Sequence, residues 1–188
     1  MTPRCHTSLA LGLALLASLT LAARAGAELA VSGNDNKVLN VNGIVTVVPN
    51  PPPDTVSLID LKQSPPKVIG EVQTPVSVVG PPLSIAVTPD ESLALVTASN
   101  KVDPSDKTKQ TPDNRVTVID LKASPPKVIQ TLEAGMGAAG ISVNRQGTLA
   151  LVSNLVDGTV SVFTIQGKTV SPAGTVEVGG KAAGGGMV

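Results

Sequence analysis

Few residues in this sequence can do chemistry, and most of them are carboxylates. Asp60 and Asp120 stand at one place in two copies of a segment, Val56–Ile69 (VSLIDLKQSPPKVI) and Val116–Ile129 (VTVIDLKASPPKVI). Carboxylates serve general acid–base chemistry when each is held in the right protonation state. The repetition argues against that role, because a catalytic residue is needed once and a fold residue in every repeat. An aspartate at the end of a strand accepts amide hydrogen bonds from the adjoining turn. That structural part is expected of Asp60 and Asp120, beside the turn prolines Pro65, Pro66, Pro125 and Pro126. A second acidic group, Asp103, Asp106 and Asp113, offers the oxygen donors that calcium prefers. Its spacing fits no calcium-loop pattern, and Lys101, Lys107 and Lys109 are interspersed. A solvated loop is the expectation, and these six residues form the candidate surface for contacting a partner. Gly135, Gly137, Gly140 and Gly184–Gly186 are followed by no helix to supply a phosphate cradle with amides. They read as turn glycines. No catalytic, cofactor-binding or metal-binding residue is assigned.

Export narrows the chemistry further. Arg4, the apolar run Ser8–Ala23 and the small residues Ala25-Gly26-Ala27 form the pattern of a signal peptide, residues 1–27, cleaved before Glu28. The run is shorter than the roughly 20 apolar residues that a membrane span needs. Cys5 and His6, the only cysteine and the only histidine, leave with it. So do Arg4 and Arg24, giving residues 28–188 a net charge near −2. Ser-His-Asp and Cys-His arrangements and histidine-held metals are thereby excluded from the exported chain. Phe163 is its one aromatic, so the ring-lined walls common in sugar or quinone pockets are missing. A weakly acidic surface offers no footprint for nucleic acid or an anionic membrane. The expected location is the periplasm or the exterior.

What must position these residues is a repeat of short strands. Asn42-Gly43 between two alternating runs predicts a hairpin. Pro49-Asn-Pro-Pro-Pro-Asp54 predicts an exposed extended loop, since proline lacks the amide a central strand needs. Strands are expected at 56–61, 68–72, 83–87 and 93–97. In the first, Ser57, Ile59 and Asp60 break strict alternation, as in a strand covered on both faces. Ile141-Ser-Val and Leu149-Ala-Leu-Val152 answer Ile85-Ala-Val and Leu93-Ala-Leu-Val96, and 159–165 answers 116–121. Asn100–Asn114, polar and without a strand or helix period, predicts a loop inserted between two strands of the repeat. One unit is four short strands in roughly 40–45 residues, the content of a β-propeller blade. The fold class expected is all-β, with about three blades of four-stranded antiparallel sheet at 28–80, 81–134 and 135–180, and 181–188 beginning an unfinished one.

Leu95-Val96-Thr97 and Leu151-Val152-Ser153-Asn154, each followed by a Val-Thr-Val-Ile-Asp or Val-Ser-Val-Phe run, resemble the YVTN family of bacterial propeller repeats. Val87-Thr88-Pro89-Asp90 is similar to that family's strand–turn signature. Leu stands at 95 and 151 where the family has tyrosine, Ala98 where it has asparagine, and Asn144–Gly147 keeps only the final glycine. The resemblance implies an incomplete propeller, related to lactonases and quinoprotein dehydrogenases, and specifies fold far better than activity. Two functions follow as expectations. One is a non-catalytic binding or scaffold module with an unnamed protein partner, no cofactor, and self-assembly as a route to closing the ring. The alternative is a fragment of an exported propeller enzyme whose catalytic blades lie elsewhere.

Overall fold

The computed structural model describes residues 28–78 and 83–179, and the signal peptide reading lies outside them. Every regular element within them is a strand. The first sheet contains β1 (Leu29–Asn34), β4 (Thr55–Asp60) and β5 (Lys67–Gln73), in that order. Between β1 and β4 a separate two-stranded hairpin is inserted, β2 (Val38–Val41) with β3 (Ile44–Val47). Asn42 and Gly43 turn it with φ of 54° and 84°, the left-handed backbone that such two-residue turns require. The second sheet is β6 (Ile85–Val87), β7 (Leu93–Val102), β8 (Gln110–Asp120) and β9 (Lys127–Glu133). The third is β10 (Ala138–Val143), β11 (Leu149–Asn154), β12 (Thr159–Gln166) and β13 (Thr169–Glu177). Each is an antiparallel meander, and together they form an arc of β-propeller blades.

Alternation along the strands explains why the blades stack. Val56 and Leu58 of blade 1 point forward onto Ala94, Val96, Ile119 and Leu121 of blade 2, a single buried cluster. One residue out of phase, Leu93, Leu95, Val116 and Val118 point from the other face of blade 2 onto Ala150, Val152, Phe163 and Ile165 of blade 3. Blade 2 is therefore apolar on both faces, as the broken alternation of its β8 sequence requires. Each large side chain buried in this way contributes roughly 1.5–3 kcal/mol. Polar pairs fix the stacking register. Thr74 Oγ1 and Thr117 Oγ1 lie 3.0 Å apart between blades 1 and 2. The Gln130 amide donates to the Val170 carbonyl at 3.1 Å and accepts from the Val170 N–H at 2.8 Å between blades 2 and 3.

Two expectations need correction. Asn100–Asn114 is not a free loop, since β7 continues to Val102 and β8 begins at Gln110, leaving only 103–109 as connection. Asn100 pairs with Pro112, Lys101 with Thr111 and Val102 with Gln110. A hairpin that rises clear of the sheet has no core face, so it carries no apolar alternation for a sequence pattern to detect. Pro112 fits because the register shifts between Ala98 and Asn100, and prolines are tolerated beside such bulges. The first blade also departs from four strands: its described residues supply three, with β1 at one edge.

Candidate functional site

Blades 1 and 2 carry their insertions at equivalent places, between the strands that match β7 and β8. Hairpin β2–β3 and the β7–β8 extension therefore rise from the same end of the arc. Between them lies a pocket of about 410 Å³. The proline-rich run 49–54 and Pro75 form one side of it, Asn100, Val102, Lys107 and Arg115 the other, with Lys37 also in the lining.

The insertion of blade 1 is fastened by charge. Lys37 Nζ sits between two carboxylates, 2.9 Å from Asp35 Oδ1 and in direct contact with Asp54 Oδ2, and donates to the Val76 carbonyl at 2.6 Å. All three side chains are at least nine-tenths buried. Asp54 also accepts from the Asn36 and Val76 N–H groups, at 2.9 and 3.3 Å. Asp35 accepts from the Lys37 and Val78 N–H groups, at 3.0 and 3.2 Å. With these acceptors satisfied, the cluster acts as a clamp that ties the base of the hairpin to the β5–β6 link. The sequence reading passed over these residues, because Asp35 lies in a turn and Asp54 at the end of a proline run. The hairpin prediction held the available signal: closing 37–48 brings the residues before and after it together.

Across the pocket, Arg115 grips Asp113 through both Nε and Nη2. Asp113 is buried and belongs to the bulge, so it does not join the exposed contact set assigned to it from sequence. Asp103 and Asp106 stay in the connecting loop. Asp103 accepts the Ser105 hydroxyl and N–H at 2.6 and 2.7 Å. Asp106 accepts the Thr108 hydroxyl at 2.6 Å, and Lys109 lies 2.8 Å away. Both carboxyls are held below the usual range, Asp106 chiefly by the Lys109 ammonium and Asp103 chiefly by the Ser105 hydroxyl. They shape the loop. Lys101 lies in β7, while Lys107 and Lys109 are exposed, and Lys107 reaches the pocket.

The repeated residues sit at the opposite end of the arc. Asp60 accepts from the Gln63 amide at 2.7 Å and the Lys62 N–H at 2.9 Å. Asp120 accepts from Lys168 Nζ of blade 3 at 2.5 Å and the Lys122 N–H at 3.0 Å. The Lys168 ammonium, more than the amide, holds the Asp120 carboxyl below its ordinary range. Both Ser–Pro bonds, before Pro65 and before Pro125, are cis. Pro126 then abuts blade 1, where a side chain built on Gly70 would come within 3.1 Å of its ring. Pro66 is exposed.

A second pocket, about 490 Å³, opens between blades 2 and 3. Glu133, Asp157 and Glu177 line it with Ser161 and Phe163. Asp157 accepts the Met136 N–H at 2.7 Å. Gly137 beside it has φ of 73°, and a side chain there would meet the Val156 nitrogen at 2.8 Å, so only glycine fits.

No family model matches the sequence, and no curated protein matches it. Among solved structures the chain is similar to Kuenenia stuttgartiensis hydrazine synthase, with 22% identity over 63% of this chain and 28% of that one and a TM-score of 0.46. It is similar to a protein from Lactobacillus plantarum at 14% identity, covering 80% of this chain and 37% of that one, TM-score 0.47. Periplasmic gluconolactonase of Pseudomonas aeruginosa matches at 15% identity, 77% of this chain and 42% of that one, TM-score 0.46. The chain thus spans less than half the length of each. At these identities nothing about activity follows.

Two measurements test the charge placements. Lys37→Met strands two buried carboxylates without a cation, and urea unfolding is expected to show a loss of about 3–5 kcal/mol, the usual cost of breaking a buried pair. The lowered Asp120 carboxyl contributes stability above its ordinary pKa of about 3.9, and that contribution is lost as pH falls through the lower folded value. Asp120→Asn should therefore unfold more easily than the native chain at pH 7, with the gap closing in acid below about pH 4.

Proposed function

We propose that this chain is the partner-binding part of an exported propeller of the YVTN-like kind, working through the end at which both insertions rise. One observation carries this reading: two consecutive blades place their insertions on one side, and these enclose the pocket at Lys37, Pro49–Asp54 and Lys107. Loops and hairpins held on a rigid stack of sheets are where repeat proteins place recognition. The carboxylates nearest the pocket are spent on clamping it, so the arrangement suits binding better than proton transfer. Replacing 103–109 with Asn-Gly keeps the β7–β8 hairpin closed and removes Lys107 and Lys109. Pull-down from the exported fraction with the tagged full chain is expected to lose its captured partner on this replacement. Equal capture by both forms would sink the proposal.

A second reading takes the chain as part of a propeller enzyme, and the pocket between blades 2 and 3 favours it. There the side-chain carboxylates of Glu133 and Glu177 have no hydrogen-bond partner among the described residues, leaving either able to act as a general base toward water. The gluconolactonase likeness supplies the substrate class to assay. Under this reading Glu133→Gln or Glu177→Gln lowers lactone hydrolysis about 100-fold or more, the usual worth of a positioned base. Lactone hydrolysis no faster than in buffer, or unchanged in both variants, removes it.

A further inference from the structure

The face that blade 3 turns toward blade 2, the one carrying Phe163 and Ile165, differs from its counterparts at two positions. Cross-strand pairs on it are Thr159 with Glu177 and Ser161 with Thr175. The same pairs in blade 2 are Arg115 with Glu133 and Thr117 with Thr131, and in blade 1 Thr55 with Gln73 and Ser57 with Glu71. Where blade 2 sets an arginine opposite its glutamate, blade 3 therefore sets a threonine. The pocket of about 490 Å³ lies at that place, and no lysine or arginine among the described residues lines it. Glu133, Asp157 and Glu177 give it three carboxylates and no cation. They do not form a metal cage, since among the described residues no three such groups stand close enough to hold an ion.

A buried hydroxyl supplies a second, independent sign. Asn154 is buried, and its Oδ1 accepts the Gly135 N–H at 3.1 Å, which fixes the direction of its amide. Its Nδ2 then donates to Thr159 Oγ1 at 2.8 Å and to Ser161 Oγ at 2.9 Å. Ser161, only 5% exposed, shares the Gly135 N–H at 3.1 Å. With both lone pairs engaged, the Ser161 hydroxyl can only donate, and among the described residues nothing accepts from it. The equivalent Ser57 in blade 1, held by Asn34 in the same way, gives its hydrogen to Glu71 at 3.4 Å. Blade 3 has Thr175 there, so Ser161 lines the pocket with its hydrogen unspent. A buried donor without an acceptor is costly, and native structures rarely keep one.

We propose that this pocket binds an amino sugar. The ammonium sits on Glu177, in the field of Asp157 and Glu133, where blade 2 carries its own cation. A ring hydroxyl accepts from Ser161 while another donates to a carboxylate. A bare amine satisfies the acids and leaves Ser161 without an acceptor. A neutral sugar satisfies Ser161 and leaves the negative charge unmatched. It also finds no ring to stack on, because Phe163 is buried beneath the floor, so charge has to carry the affinity. The inference shares its pocket with the hydrolytic reading but needs no turnover, and inertness toward lactones leaves it standing.

Ligand-observed NMR titration of the full chain with glucosamine tests it, in slightly acidic buffer where the probe carries its charge. Glucosamine is expected to bind. N-acetylglucosamine, which lacks the charge, and butylamine, which lacks the hydroxyls, should each bind about tenfold or more weakly, the worth of one hydrogen bond to a charged group. Glu177→Gln should weaken glucosamine by a similar factor, and it alters an exposed side chain that supports nothing in its own chain. Thr159→Arg should abolish binding by restoring the pair that blade 2 already accommodates as Arg115 opposite Glu133. Glucosamine that does not bind, equal binding of either comparison compound, or binding unchanged in both variants overturns the proposal.

Discussion

A sheet that is apolar on both faces has no stable existence alone, and the structure follows from that constraint. In blade 2, β7 runs Leu93-Ala94-Leu95-Val96 and β8 runs Val116-Thr117-Val118-Ile119, so neither parity can be given to water. Covering one face with blade 1 and the other with blade 3 is the least that such a sequence demands. The repeated turns serve the same end. In the blade 2 copy, Ser-Pro-Pro-Lys brings Pro126 against Gly70 of blade 1 and Asp120 reaches across to Lys168 of blade 3, so this turn joins both neighbours. Stability here lies in interfaces between neighbours, as in other quasi-one-dimensional repeat proteins.

The same logic separates the two ends of each blade. At the end of the repeated turns the connections are short, and those of blades 1 and 2 are held by the strand-end carboxylates Asp60 and Asp120. At the other end the link between the strands equivalent to β7 and β8 varies from blade to blade: hairpin β2–β3, the extension 100–112, and in blade 3 the tight turn 155–158. Variation is tolerated there because the packing of the sheets depends on nothing beyond Asn34, Ala98 or Asn154. An insertion raised so far from the core has to bring its own anchorage. Blade 1 uses Lys37 between Asp35 and Asp54, and blade 2 uses Arg115 on Asp113. A charged clamp is weak evidence for stability. Its geometric effect is clear: it fixes where the proline wall stands relative to Lys107.

What the sequence disclosed was whatever depends on period and repetition. The duplicated Val-x-Val-Ile-Asp strand, the Asn42-Gly43 turn and the match of Leu93–Val96 to Leu149–Val152 place nearly every strand, because each is imposed by burial or by a backbone conformation. The β7–β8 extension was illegible for the complementary reason. Lys101, Thr111 and Gln110 pair through backbone groups while water bathes much of their side chains, and no burial pattern records such pairing. The Lys37 clamp was hidden by distance along the chain, since Asp35 and Asp54 lie on opposite sides of a hairpin. Asp113 was misplaced because a buried acid whose partner is Arg115, two residues on, looks the same in sequence as a solvated one.

Residue chemistry sets the remaining boundary on function. Among the described carboxylates, Asp54, Asp35, Asp113, Asp60 and Asp120 are committed to hydrogen bonds and ion pairs with amides, lysines or an arginine, which leaves them no free geometry toward a substrate. Glu133 and Glu177 are the acids in a cavity without such partners, which is why the enzymatic reading rests on them. Binding needs no such reserve. It needs a rigid floor, variable walls and a few charges at the rim. The end bearing both insertions has all three, with sheets beneath, prolines on one side and Lys107 with Arg115 on the other. The two ends of the blades therefore differ along the strands: one carries the repeated turns, with Pro126 on Gly70 and Lys168 on Asp120, and the other carries the insertions of blades 1 and 2.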